Sequence, residues 1–278
     1  MARRRAEGEA PLLLILGLGY SAARIAREMR AAGWEVVGVR RAASAEVLAF
    51  DDPAVPELVG AARAVLSSVP PDGETGADPV LARFGAALAA TPARLLYLSS
   101  TGVYGDTGGA VVDESSPVGT GRRQARTAAD LAWQALGATV LRLPGIYGPG
   151  RSALDQVRAG TARRIDRPGH RFNRIHVEDI AGATRAILES GAAGVFNLVD
   201  GCPAEPRAVV EEACRLLGAP FPPLEPFALE RFSPAARGFW SERRIVAGWK
   251  LARCTGYRLR HPDYKAGLRA IRAEEQAA

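Results

Sequence analysis

The chain opens on a five-residue apolar run, Leu12-Leu13-Leu14-Ile15-Leu16, with no polar alternation. That is the pattern of a strand covered on both faces in a parallel sheet. Gly17-Leu18-Gly19 follows, and Ala23 to Arg30 takes helical spacing, with Ile25 and Met29 four residues apart. Gly33-Trp34 closes that helix, and Glu35 to Arg41 reads as a second strand. Asp51-Asp52-Pro53 and Pro56 mark a loop, and Ala64 to Val69 is a further apolar strand. Pro71 to Pro79 reads as loop, Val80 to Ala90 as helix, and Arg94 to Ser100 as another buried strand. Later, Pro206 to Leu217 has a helical core face (Val209, Val210, Ala213, Leu216), and Leu224 to Ala236 is broken by prolines. Strand and helix alternating in this way predict an α/β fold with a doubly wound parallel sheet.

A strand, a glycine turn and a helix in that order make a phosphate cradle. The glycines let the backbone approach a pyrophosphate, and the helix N-terminus offers free N–H groups. Gly17, Gly19, Tyr20, Ser21 and Ala22 are the candidate cradle residues, with Ala22 at the position that needs only close helix–strand packing. An acidic residue about 20 positions on would accept the adenosine ribose hydroxyls. Arg40 and Arg41 stand there instead, and a guanidinium binds a 2′-phosphate where a carboxylate repels it. NADP is therefore the expected cofactor, with NAD second. Ser67, at a strand end, falls at the crevice where a doubly wound sheet receives its cofactor.

Composition narrows the class. At 278 residues and 47% hydrophobic, the chain suits one large domain with a smaller appendage. No apolar run approaches the roughly 20 residues of a membrane span, and Leu12–Leu16 is too short for a signal-peptide core. Cys202, Cys214 and Cys254 are far apart and lack CxxC spacing, so no disulfide framework or metal site is expected, and a cytoplasmic setting is. Residues 231–272 hold eleven basic side chains against Glu242 and Asp263. That field favours small anionic ligands; no nucleic-acid motif accompanies it. Lysine occurs only at 250 and 265, so nearly all positive charge is arginine.

Four ordered motifs then carry a resemblance. Leu98-Ser99-Ser100-Thr101-Gly102-Val103-Tyr104-Gly105 resembles the S-S-x-x-V-Y-G segment of extended short-chain dehydrogenases, the NAD-dependent epimerase/dehydratase family. Asp113-Glu114-Ser115-Ser116-Pro117 is similar to that family's D-E-x-x-P loop. Arg142 to Gly150 is similar to its R-x-x-x-x-Y-G-P-G segment, and His176-Val177-Glu178-Asp179-Ile180-Ala181 to its H-V-x-D-x-A helix start. Gly194 to Leu198 matches the strand that follows, so the resemblance covers residues 12 to about 217. It implies a Rossmann domain over 11–150, rejoined at about 175–200. The segments 151–174 and 201–278 would build a smaller substrate lobe, after a flexible 1–10.

The resemblance also implies roles. Ser100 falls at the catalytic Ser/Thr position, where a hydroxyl polarises the reacting oxygen. Ser99 and Pro144 would border the cofactor, and Thr101, Tyr147 and Arg174 the substrate. The family's Tyr-x-x-x-Lys pair is absent: Arg122 stands at the Tyr position and Arg126 at the Lys position, and no Tyr occurs between 104 and 147. Arg126 can grip a ribose hydroxyl but cannot release a proton. Proton transfer would pass through Tyr104, Tyr147, His176 or water, with Tyr104 the first candidate. This pattern resembles the atypical branch of the family. The expectation is an NAD(P)-dependent oxidoreductase of epimerase/dehydratase type on a nucleotide-sugar-like or other small polar substrate, with a helix-paired homodimer. The alternative is a catalytically silent NADP-binding protein, a redox sensor or scaffold.

Overall fold

The computed structural model describes residues 9–277, excepting the side chain of Ala235; the expected flexible start falls largely on 1–8, outside the described residues. Its centre is a seven-stranded parallel sheet. The strands are β1 (Leu12–Leu16), β2 (Glu35–Arg40), β3 (Val47–Ala49), β4 (Ala64–Ser67), β5 (Arg94–Ser100), β7 (Thr139–Leu143) and β11 (Val195–Asn197). They lie in the order β11-β7-β5-β4-β1-β2-β3. The chain therefore reverses direction across the sheet between β1 and β4, and the carboxyl ends there open a crevice of the kind that receives ligands in doubly wound folds.

All five residues of β1 are buried, as an unalternating apolar run requires. One sheet face carries α1 (Tyr20–Ala31) and α6 (Val177–Ser190), joined through Ile25, Met29, Ile180 and Ile187. The other carries α2 (Val55–Ala61), α3 (Pro79–Ala90) and α4 (Gln124–Ala135), with Val59, Phe84, Leu88 and Trp133 in its core. The stretch expected to be loop around Pro56 is in fact the start of α2. Pro56 sits in the first turn, where a missing N–H breaks no helical bond. Asp78 caps α3 by accepting the N–H groups of Val80 and Leu81, and its other oxygen accepts from Trp133 Nε1 at 2.9 Å.

The smaller lobe is built from short parallel pairs: β6 (Val111–Val112) with β13 (Ile245–Val246), β8 (Gly145–Tyr147) with β10 (Arg174–His176), and β9 (Arg164–Asp166) with β12 (Leu224–Pro226). Around them lie α5 (Ala153–Arg158), α7 (Pro206–Leu217), α8 (Pro234–Trp240), α9 (Trp249–Thr255) and α10 (Tyr264–Ala277). Leu154, Ala213, Leu268 and Ile271 form its core, so α10 closes onto elements more than a hundred residues earlier. The proline-broken 224–236 stretch holds β12, a short 3-10 turn and the start of α8.

Candidate active site

The glycine turn after β1 is held from beneath. Gly17 and Leu18 donate their N–H groups to Val39 O at 2.9 and 3.0 Å, and the Ser68 hydroxyl donates to Gly17 O. Gly17 has φ +93, and a Cβ there would meet Val69 Cγ2 at 2.7 Å. Gly19 differs: it precedes α1 with φ −95, and a Cβ on it would meet nothing within 4 Å. The start of α1 has neither a capping side chain nor an acidic residue, so no side chain satisfies the N–H groups of its first turn. Such a helix end attracts an anion. Ala22 is buried against the sheet, and the Tyr20 hydroxyl donates to Pro149 O at 3.1 Å. Arg40 reaches back so that its Nε donates to Leu18 O at 2.6 Å, which puts its guanidinium on the rim of the turn. Arg41 is exposed immediately after β2. At the end of β4, Ser67 is fully buried and its Oγ has no hydrogen-bond partner among the described residues.

Along the crevice from this turn lies an inner compartment of about 440 Å³ at the end of β5. Ser99, Ser100, Thr101 and Gly102 form one side, and Leu143, Pro144, Gly145 and Ile146 another. Among the described residues five guanidinium groups line it, those of Arg123, Arg126, Arg151, Arg171 and Arg244, with Glu242 the one lining carboxylate. Glu242 is taken by Arg244 at 2.9 Å and by Arg122 at 3.6 Å. Arg126 donates to the Tyr97 hydroxyl at 2.9 Å, behind which Tyr97 stacks on Trp133. Arg123, Arg151 and Arg171 have no hydrogen bond or ion pair from their side chains among the described residues. Burial and the neighbouring Arg122 and Arg126 charges press the Arg123 guanidinium below its usual value.

The arginines at 122 and 123 take opposite directions for a backbone reason. Gly105 (φ +70) and Gly121 pack so closely that a Cβ on Gly121 would meet Gly105 Cα at 2.5 Å. That crossing delays α4 until Gln124, so Arg122 lies outside the helix and donates to Gly238 O at 2.7 Å. Arg123, the N-cap residue, crosses over Gly102, where a Cβ would meet its Cδ at 2.5 Å and Ser100 Oγ at 3.2 Å. Arg123 is thus the arginine beside Ser100, and helical spacing alone gave no sign of it.

Tyr104, the first candidate for proton transfer, is only 1% exposed and does not line the compartment. Its hydroxyl donates to Asn197 Oδ1 and accepts from Arg142, both at 2.9 Å. Burial raises its pKa. Arg142 also grips Asp130 through two bonds of 3.1 and 2.8 Å, and Asp130 accepts the Ser99 hydroxyl at 2.5 Å. Tyr104 and Ser99 therefore belong to a buried network that ties β5, α4, β7 and β11 together. Their hydroxyls are committed to it, which corrects the expectation of a free Tyr104 phenol at the reacting group.

Tyr147 and Arg174 line a second, outer compartment of about 690 Å³ in the smaller lobe, which shares Ile146, Arg151, Phe172 and Phe239 with the inner one. The Tyr147 hydroxyl donates to Asp263 O at 3.3 Å, and burial with nearby carboxylates raises its pKa strongly. Arg174 donates to Phe172 O and Ala204 O at 2.9 and 3.1 Å, and burial lowers its pKa. Near it Asp200 is 1% exposed, with one oxygen unpartnered, and burial pushes its carboxyl up to about 7. Ser100 and Thr101 thus share the inner compartment with Arg126 and Pro144, whereas Tyr147 and Arg174 stand apart in the outer one.

His176 is buried at the start of α6, where its Nδ1 accepts the Glu178 N–H at 3.3 Å. Its ring lies 3.9 Å from that of His261, and ligand-type atoms of His176, Asp179 and His261 fall within 4.8 Å of one another. Asp179 already accepts the Tyr257 hydroxyl, the N–H groups of Arg260 and His261, and pairs with His261 Nδ1 at 2.9 Å. The trio clamps the segment 257–261 to α6.

No protein-family model matches the chain. Protein YeeZ of Escherichia coli (strain K12) is 28% identical over 277 residues, covering 90% of this chain and 96% of that protein. The solved structure of a functionally unknown conserved protein from Silicibacter pomeroyi is 36% identical, covers 95% of this chain and 99% of its own, and superposes with a TM-score of 0.87. Human epimerase family protein SDR39U1, solved with NADPH, is 19% identical, with 94% and 99% of the two chains covered and a TM-score of 0.76. Among the described residues no helix is long and apolar enough to cross a membrane. The chain belongs to one family with the Silicibacter pomeroyi protein, and its fold is that of the extended short-chain dehydrogenases, the NAD-dependent epimerase/dehydratase proteins.

Proposed function

We propose that this chain is an NADP(H)-dependent oxidoreductase of the epimerase/dehydratase type, acting on a small anionic substrate held beside Ser100. The observation that carries the reading is the continuity of three features along one crevice. These are a glycine turn open at Gly19, an arginine at its rim, and a compartment where unpaired guanidinium groups face a serine.

The residues present fit a dinucleotide. The open Gly19 backbone and the uncapped start of α1 would hold the pyrophosphate. Arg40 and Arg41 would hold a 2′-phosphate, and Arg126 with Pro144 would border the nicotinamide end. The nicotinamide supplies hydride exchange when bound. The protein's own part is electrostatic. The Ser100 hydroxyl and the Arg123 side chain both lie beside Gly102 on the compartment wall, from where they would stabilise negative charge developing on a substrate oxygen. Among the described residues that line the inner compartment there is no Tyr, His, Lys or Cys, and Glu242 is held by Arg122 and Arg244, so the proton would be exchanged with water rather than with a phenol. SDR39U1 holding NADPH on the same fold supports the cofactor class.

That same lining favours a second reading, an NADP-binding protein without turnover. Titration of NADPH and NADH into the wild type and into Arg40→Ala/Arg41→Ala, followed by substrate screening at the nicotinamide absorbance, separates the outcomes. NADPH is expected to bind at least tenfold tighter than NADH, about 1.4 kcal/mol, and the double variant to lose that margin. Equal or tighter NADH binding overturns the cofactor assignment. Binding with no turnover on any substrate leaves the silent reading.

A further inference from the structure

The two compartments differ in where their charge is free. In the inner one, Arg123, Arg151 and Arg171 have no hydrogen bond or ion pair from their side chains among the described residues, and Arg151, which borders both compartments, lies over the Tyr20 ring at 5.7 Å. In the outer one the charges other than the shared Arg151 are already matched. Arg163 pairs with Glu225 at 2.7 Å, Arg174 donates to two backbone carbonyls, and Asp155 is consumed in the cap of α5. What the outer compartment offers a ligand is aromatic surface. Phe172 and Phe239 stack at 4.2 Å on the wall between the compartments, and Phe172 meets Trp240 edge-on at 5.2 Å. Phe232 stands against Trp240 on the far side, and Val209 and Leu268 extend the apolar lining.

A substrate that fits both halves carries its anion close to the reacting group and an apolar body beyond it. A substrate with a diphosphate remote from the reacting group would place that charge against the aromatic wall, where Arg163 and Arg174 are already engaged and only Arg151, at the boundary with the inner compartment, remains to meet it. The inner compartment must also admit the nicotinamide end, which leaves room for a compact planar anion. A guanidinium binds a carboxylate through two parallel hydrogen bonds in one plane. Resting on the oxidoreductase reading above, we infer that the substrate is an aryl-bearing carboxylic acid. Its carboxylate lies between Arg123, Arg151 and Arg171, and its ring lies beyond Phe172 and Phe239 against Trp240. Specificity then follows from Phe239 and Arg123 rather than from Arg174.

The test is calorimetric titration of the NADP⁺-saturated protein with 3-phenylpropanoate, its amide, propanoate, phenyl phosphate and UDP-glucose. The aryl acid is expected to bind at least tenfold tighter than its amide and than propanoate. Arg123→Gln should weaken the acid tenfold or more and leave the amide unchanged. Phe239→Ala should bring the aryl acid toward propanoate. Arg171→Gln, at an exposed position, gives the same readout should Arg123→Gln fail to fold. An amide that matches the acid, or phenyl phosphate or UDP-glucose binding tighter than the acid, overturns the inference. NADPH titration of the same preparation keeps the two readings apart. Loss of NADPH binding defeats the oxidoreductase reading, whereas NADPH binding with no preference for the aryl acid defeats this inference alone.

Discussion

The two glycines of the β1–α1 turn separate folding from cofactor binding, because one is held by strain and the other by empty space. At Gly17 an alanine must adopt φ +93 and displace Val69 Cγ2 from 2.7 Å. A left-handed non-glycine residue costs about 1–2 kcal/mol, and overpacking a close contact about 1–3 more. Gly17→Ala should therefore lose roughly 2–5 kcal/mol, on the order of 5–15 °C in melting temperature for a chain of this size. At Gly19 the backbone is already at φ −95 and the added methyl meets nothing. The poorer helix cap and the reduced freedom of the unfolded chain offset one another within about 1 kcal/mol. That methyl instead occupies the space a pyrophosphate needs. Gly19→Ala should melt within about 3 °C of the wild type while NADPH affinity falls at least tenfold. Thermal melts by circular dichroism and NADPH titration by nicotinamide fluorescence give both numbers. If Gly19→Ala bound NADPH as the wild type does, or melted as low as Gly17→Ala, the cradle assignment would be refuted.

Asp130→Ala strands the 3% exposed Arg142 without its partner and should lose about 3–5 kcal/mol in urea denaturation, and a loss under 1 kcal/mol would show the network to be dispensable. Ser100→Ala should abolish turnover with NADPH affinity unchanged, since its hydroxyl faces the inner compartment and not the glycine turn. The pH dependence of stability carries two opposed terms. Burial holds His170 and His176 down to about 4, so their contribution is present above the ordinary imidazole value and is lost as pH falls toward 4. Asp200 is held up to about 7, so its contribution is present at acid pH and lost as pH rises through that value. Between pH 4.5 and 6.5 two histidine terms oppose one carboxyl, and Asp200→Asn should roughly double the acid-side slope of unfolding free energy against pH. An unchanged slope would mean that Asp200 titrates normally.

Local patterns exposed the frame of this protein. An unalternating apolar run, two glycines and a short amphipathic helix specify β1, the turn and α1 without help from elsewhere in the chain. The hydroxyl-rich end of β5 likewise announced the compartment that Ser100 and Thr101 line. What could not be read was direction. Whether Arg122 or Arg123 faces Ser100 depends on Gly105 meeting Gly121, a contact that no periodicity encodes. Tyr104 reads as a free phenol until Arg142 and Asn197, 38 and 93 residues away in sequence, are folded onto it. The aromatic wall joins Phe172 to Phe239 and Trp240 across a stretch that prolines make irregular. One signal was present: Glu242 is the lone acid between Arg231 and Arg260, and a single carboxylate in so basic a run is spent on holding two arginines in place.

The way α10 closes the smaller lobe has a consequence for how the protein is made. Tyr147 packs against Gly267, whose Cβ would meet the Tyr147 hydroxyl at 2.1 Å, and Leu154 shares a core with Leu268 and Ile271. By contrast, β1 to β5 pair with one another inside residues 12–100, through parallel crossover connections that include α1, α2 and α3. On the ribosome the first half of the sheet can assemble while the chain is still growing. The core of the smaller lobe, however, must wait, partly uncovered, until α10 emerges. Ligand capable of bridging the two compartments would favour that last step. Newly made protein should therefore depend on ligand for its yield more than mature protein depends on it for stability.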